Sequence, residues 1–251
     1  MSVSAWLLLT RNQLWGFLRE PAASGFNLLV PFFIVVVQGV AYGDTAAKGL
    51  RDTRVADVLP VSAATMFVMI IGVFGMGIGL ASMIEARSVA AYRLRPGGVP
   101  GLLSAYAVVL VLLVVLGFAL SWLTLTVGWD ARGPARAWAL LPALVLGSAF
   151  FVALGALGGT LGGSPRSAQA LSSMLFFPVL FLSGAMFPLD DFPRALRVVS
   201  TVLPGRHVFD LFSWTWVSGE AVPWGSIAYL VVGAAVLFRA AVVALGRREN
   251  V

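Results

Sequence analysis

The chain has 251 residues, of which 17 are Lys or Arg and 11 are Asp or Glu, together 11%, while 59% are hydrophobic. Soluble domains carry about 25% charged residues, so an ordinary water-soluble enzyme is excluded. Cysteine is absent and His207 is the one histidine, which removes disulfides, thiol nucleophiles and multi-His metal sites. The formal charge of +6 is explained by anionic lipid and the positive-inside rule, without nucleic acid.

The charges cluster. Six charge-free gaps of at least 18 residues remain between them: 21–43, 58–84, 96–129, 137–165, 167–189 and 221–238. A bilayer-crossing helix needs about 20 mostly apolar residues. The expected fold is therefore an all-α integral membrane protein with six transmembrane helices. No internal repeat or linker divides the chain, so 1–251 reads as a single transmembrane domain.

Residues 1–20 predict an amphipathic helix lying in the membrane interface. Val3, Leu7, Leu14, Phe17 and Leu18 form its apolar face, and Pro21 ends it. The first span is expected at Phe26–Tyr42, followed by a charged loop, Gly43–Pro60. The second is expected at Val61–Ile84, followed by a basic, Gly/Pro-punctuated turn, Glu85–Gly101. The third is Leu102–Val127 and the fourth Trp138–Leu161. A hinge-like Gly162–Ser167 leads into the fifth, Ala168–Pro188. Pro178 removes a backbone hydrogen bond and should kink or split that helix, which then ends in a re-entrant turn.

The stretch Pro188–Pro223 is charged yet rich in large apolar residues. One short helix is expected to start at Asp190 or Asp191 before Pro193, with Phe192, Leu196, Val199 and Leu203 on one face. Pro204-Gly205 breaks it, and a second aromatic run follows, Val208 to Trp216. Both read as short helices half-buried at the membrane surface. The sixth span is expected at Trp224–Leu245, with a basic Arg247-Arg248 tail. Gly75/Gly79, Gly155/Gly159 and Gly159/Gly163 are small-xxx-small pairs, which predict close helix packing within the bundle or in a dimer.

An even number of spans puts both termini on one side. Lys and Arg divide nearly evenly, nine on the terminus side and eight opposite, while acids number three and eight. Termini in the cytoplasm of a bacterial cell membrane is the expected orientation.

Several chemistries are absent from the sequence. A phosphate-cradling loop needs Gly-Lys-Ser/Thr, and the only lysine, Lys48, is followed by Gly49. The gaps hold no acid, which disfavours proton or sodium coupling. Asn27, Gln38, Thr65, Ser121, Thr124, Ser148, Ser172 and Ser173 read as helix–helix hydrogen-bonding residues. Arg239 is expected to snorkel. His207, between Arg206 and Asp210, reads as a loop histidine with no special role.

The segment LFFPVLFLSGAMFPLDDFP, Leu175–Pro193, with Leu203-Pro204 beyond it, resembles the membrane permease of type-2 ATP-binding-cassette (ABC) exporters of the multidrug or antibiotic type. The shared elements are Phe181-Leu182-Ser183-Gly184, Phe187-Pro188-Leu189-Asp190, Pro193 and Pro204 after a mid-helix Pro178. The amphipathic start, the six spans and the long segment before the sixth agree with it. The resemblance implies an ABC ATPase subunit as partner, with ATP and Mg bound there and no cofactor in this chain. It also implies a homodimer or heterodimer of permease chains. Glu85 and Arg87, with Arg93, Leu94 and Arg95, match the family's cytoplasmic coupling helix, although its Gly-Thr is replaced around Ser88-Val89. Leu7, Leu14, Phe17 and Leu18 match the interface helix. Residues Pro178 to Pro204 match the re-entrant exit gate on the outside. With no charge inside the spans, the expected cargo is a hydrophobic or amphipathic compound, drug-like or lipid-like, and the chain itself is not an enzyme. A polysaccharide-exporting permease is one alternative, and a passive channel or assembly subunit without a motor is another.

Overall fold

The apolar runs fold as helices because a helix satisfies every backbone donor and acceptor internally, as a lipid environment requires. The computed structural model describes residues 3–19, 21–47, 53–89 and 98–248. Its helices are α1 (Val3–Leu18), α2 (Pro21–Tyr42), α3 (Val55–Ile70), α4 (Met76–Glu85), α5 (Gly98–Trp129), α6 (Ala137–Gly162), α7 (Pro165–Phe181), α8 (Arg194–Ser200), α9 (Pro204–Trp216) and α10 (Trp224–Arg248). A π-helical turn, Ile71–Gly75, joins α3 to α4 in one continuous rod.

Among the described residues, four helices are long and apolar enough to cross a membrane: Val55–Glu85, Gly98–Trp129, Ala137–Gly162 and Trp224–Arg247. The other two expected spans are shorter. α2 contributes an apolar stretch at Asn27–Tyr42, and α7 has 17 residues, about 25 Å at 1.5 Å per residue.

Hydrogen bonds between loops define two ends of the bundle. At the upper end Arg54, just before α3, meets the 130–136 connection, which in turn meets the 217–223 connection. The lower end carries Glu85, the start of α5 and the turn between α6 and α7. The rod α3–π turn–α4 is the centre of the core. It packs on α2, α5, α6, α7 and α9, and nearly all of Ala56–Gly77 is buried. α10 lies at the periphery, against α6 and α9.

Several boundaries depart from the charge-gap estimate, each for a local reason. α3 starts at Val55, not Val61, because the Asp57 carboxylate accepts the Arg54 N–H at 3.1 Å and opens the helix. α7 starts at Pro165, where Ser164 caps it and the rigid proline suits the first turn. α7 also runs through Pro178 and stops at Phe181, so Pro178 does not split it. Leu182 N–H still reaches the Pro178 carbonyl at 3.1 Å. The stop comes from Ser183 and Gly184, where φ reaches +96°.

α1 forms as expected, and Leu14 and Phe17 of its expected apolar face lie on its protein-facing side. Trp6, Leu9, Thr10, Gln13, Leu14 and Phe17 face α5 and α2, whereas Val3 and Leu7 are exposed. The side chain of Leu18 lies outside the described residues. Pro21 does not merely end α1; it begins α2.

The pair of short helices is present, but only one is at the surface. α8 is exposed almost throughout, including Leu196 and Val199 from its predicted apolar face. α9 is inserted among α3, α6 and α10, with Val208, Leu211, Phe212, Trp214 and Trp216 buried. Pro204-Gly205 therefore starts a core helix. His207 lies in α9, not in a loop.

Candidate functional site

The lower end ends the rod in an exposed turn. Ala86 N–H reaches the Ser82 carbonyl at 2.9 Å and Arg87 N–H reaches Ile84 at 3.0 Å. Arg87 then takes φ 54°, a left-handed conformation rare outside glycine, which turns the chain sharply away from the α4 axis. Glu85, Ala86 and Arg87 are all exposed, and the buried Val89 anchors the far side. Arg93, Leu94 and Arg95 lie outside the described residues. α1 is tied to this end: Trp6 Nε1 donates to Ser104 Oγ near the start of α5 at 3.1 Å. The structure thus brings the expected interface helix to the same end of the bundle as Glu85 and Arg87.

The upper end is built around the Ser183-Gly184 turn. Ser183 is fully buried; its Oγ donates to the Leu180 carbonyl at 2.7 Å and accepts the Ala185 N–H at 3.0 Å. Gly184 supplies a φ that a side chain would strain. At Gly205 a Cβ would sit 2.8 Å from the Val179 carbonyl oxygen and 2.9 Å from Ser183 Cβ, so only glycine lets α9 start against the end of α7. Pro204 is the first residue of α9. Of the other residues expected at this end, Phe187 is half exposed, Pro188 precedes a 3-10 turn, Leu189–Asp191, and Pro193 precedes α8. The side chain of Asp190 lies outside the described residues.

Two arginines that motif reasoning missed hold this end together. Arg136 donates to the Trp214 carbonyl, to the Val217 carbonyl at 3.0 Å and to the Glu220 carbonyl at 3.1 Å. Its guanidinium also lies over the Trp214 ring, 5.1 Å from the centroid. Arg54 donates to the Asp130 carbonyl at 3.0 Å and lies 3.7 Å from the buried Asp57. Asp57 also accepts the Arg132 N–H at 2.9 Å. A one-sequence reading saw these only as loop charges, because their partners are backbone atoms 75 or more residues away.

Further along α9, His207 stacks on Tyr229 of α10 with ring centroids 4.0 Å apart. Its Nδ1 is 3.0 Å from Ser226 Oγ, and Tyr229 donates to the Val202 carbonyl at 2.9 Å. Burial pushes the imidazole below its ordinary range; Asp210 and the Thr201 backbone oppose that and Arg206 adds to it. Beside it is an open cleft of about 410 Å³ lined by Arg206, Phe209, Asp210, Ser213, Glu220 and Pro223. Arg206 and Asp210 are paired at 2.7 Å. Burial, then Asp210, raises the Glu220 carboxyl above its usual value, with Arg136 opposing.

Between the two ends, α2 and α7 expose large apolar side chains. Leu29 and Phe33 on α2 and Met174 and Phe177 on α7 are each at least half exposed. Residues 27–42 and 167–181 carry no ionisable acid or base apart from Tyr42. An apolar cleft of about 460 Å³ lies along Leu29, Phe32 and Phe33. No cluster of metal-ligating residues occurs among the described residues.

Residues 4–217 match the ABC-2 type transporter family. The chain belongs to that family. It is also similar to Nodulation protein J of Rhizobium leguminosarum bv. viciae and of R. leguminosarum bv. trifolii, in each case 34% identical over 71 residues. That segment is 28% of this chain and 27% of each relative, so the match spans about a quarter of the relatives' length. The chain is therefore a multi-pass membrane protein of the ABC-2 type transporter family.

Proposed function

We propose that this chain is the permease of an ATP-driven exporter that moves a hydrophobic or amphipathic compound out of a bacterial cell. It crosses the membrane six times, with α2 and α7 as the two shorter crossings and the lower end and both termini in the cytoplasm. It works as a dimer with a separate ATPase, which binds ATP and Mg. The observation that carries the cargo class is the apolar surface of α2 and α7, which offers no charge to a passing solute. A bilayer favours such surfaces, and so does a lipophilic cargo.

ATP-driven movement of the partner would press on the turn at Glu85, Arg87 and the Arg93–Arg95 stretch. α4 is rigidly continuous with that turn, so the push enters the centre of the core. The Ser183–Gly184 turn and α9, at the opposite end, would close the exit. A sugar-exporting pathway is supported less well, because Phe212, Trp214 and Trp216 are buried in the protomer and do not line an open aromatic channel.

Reconstitution with a cognate ABC ATPase tests this reading. The expected result is ATP hydrolysis stimulated by a lipophilic dye, with outward transport of that dye. A correctly assembled complex that does neither overturns it.

A further inference from the structure

The helix at the centre of the core is not a plain α-helix. Ile71–Gly75 forms a five-residue π turn halfway between the upper-end cap at Arg54 and the lower turn at Glu85. A π turn accommodates one surplus residue without disturbing the helix on either side, and it recurs where helices must rearrange. It also misaligns local carbonyls, which in a dry core must find other donors. Two of them do so on different helices. Tyr106 of α5 donates to the Gly75 carbonyl at 2.9 Å, and Ser172 of α7 donates to the Val73 carbonyl at 3.4 Å. Val73 also accepts the Met76 N–H.

Glycines line the turn and the start of α4 at Gly72, Gly75, Gly77 and Gly79. α6 comes close through its own glycines: a Cβ at Gly155 would collide with the Gly72 carbonyl, and one at Gly159 with the Gly77 carbonyl. Side chains fill the space beside three of the rod's glycines: Phe151 at Gly72, Leu110 at Gly75 and Tyr106 at Gly79. When the wide turn travels along a helix, each residue it passes rotates by roughly 100° and moves by about 1.5 Å. Phe151, Leu110 and Tyr106 must therefore move with it.

We propose that the π turn Ile71–Gly75 is a register switch within the second membrane helix, held in place by Tyr106 and Ser172. Displacement of the Glu85 turn moves the wide turn along α4 and exchanges which carbonyls Tyr106 and Ser172 receive. α5 and α7 then respond together, through these two side chains. The coupling role of that turn rests on the proposed function; the mobility of the π turn does not.

Deletion of Val73 tests the switch, since removing one residue of the surplus turn leaves a plain α-helix with both flanks in register. In the full chain assembled with its ATPase, assembly should persist while transport falls by ~10-fold or more relative to wild type. Transport at the wild-type rate in the assembled deletion variant overturns the proposal. If that variant fails to insert, Tyr106→Phe serves instead. It should change transport by about threefold to tenfold, the loss expected from one buried hydrogen bond, with insertion unchanged. Hydrogen exchange on the purified wild-type chain in lipid nanodiscs, with no ATPase present, supplies the independent readout. Amides of Ile71–Leu80 should exchange at least ~10-fold faster than those of Ala63–Ile70, and faster still in Tyr106→Phe. Equal protection of the two segments overturns the switch. Wild-type complexes that transport nothing overturn the function reading alone, because the exchange result still stands.

Discussion

At Gly205 a single hydrogen separates a packed helix start from a collision. A side chain there meets Val179 and Ser183, both of which are fixed by the end of α7. Gly205→Leu should therefore lower the thermal stability of the purified protein by about 2 kcal/mol or more, the usual result of overpacking. An unchanged unfolding midpoint would show that α9 starts elsewhere. His207 makes a second prediction, with a sign. Its folded pKa lies below the usual 6.5, so the folded state prefers the neutral ring. Above pH 6.5 neither state binds the proton, and stability is at its full value. As pH falls below 6.5 the unfolded chain protonates first, so stability is lost on acidification. His207→Gln should remove that acid-side slope in a pH series of unfolding midpoints. A slope that survives assigns the effect to other groups. Residue chemistry was partly visible beforehand: Ser183-Gly184 stood out as a motif, and Pro204 as a breaker. Arg136 and Tyr229 did not, because what they bond is backbone carbonyl, which no letter of the sequence records.

Elements were easier to foresee than their placement. The charge-free gaps located the long helices to within a few residues, since a lipid-spanning run must be apolar whatever it packs against. They misjudged ends governed by caps, as at Asp57 and Ser164. Pro178 does not split its helix, because a proline removes one donor and the following residues still bond back along the chain. α9 was taken for a surface helix because it carries Arg206, His207 and Asp210. These three crowd its first two turns, and the rest of the helix is deep in the bundle. Arg136 ties down its far end through three carbonyls, so Arg136→Ala should destabilise the protein by about 2 kcal/mol and shift the Trp214 fluorescence. A spectrum and midpoint like the wild type would mean α9 is held by packing alone. At the other end, Glu85→Ala should insert normally while substrate stimulation of ATP hydrolysis drops several-fold, the scale of a lost coupling contact. Full stimulation would remove Glu85 from the coupling turn.

For the molecule as a whole, the absence of cysteine is an experimental advantage. Met174 on α7 is 76% exposed and Val232 on α10 is 62% exposed, both apolar. If α7 lines the contact between two permease chains, Met174→Cys should form a disulfide-linked dimer on mild oxidation of membranes, and Val232→Cys should not. Equal cross-linking at both positions would leave α7 with no special part in assembly. The amino-acid sequence by itself determined that this is a membrane protein of apolar helices, that it contains no Gly-Lys-Ser/Thr motif, and which ABC permease class it resembles. Those properties depend on which residues are present and on uninterrupted apolar length. The tertiary structure decided that α9 is a core helix, that the rod from α3 to α4 carries a π turn, and that glycines of α6 lie against its backbone. Such features arise where distant segments compete for the same donors and the same space, and linear order does not encode the result of that competition.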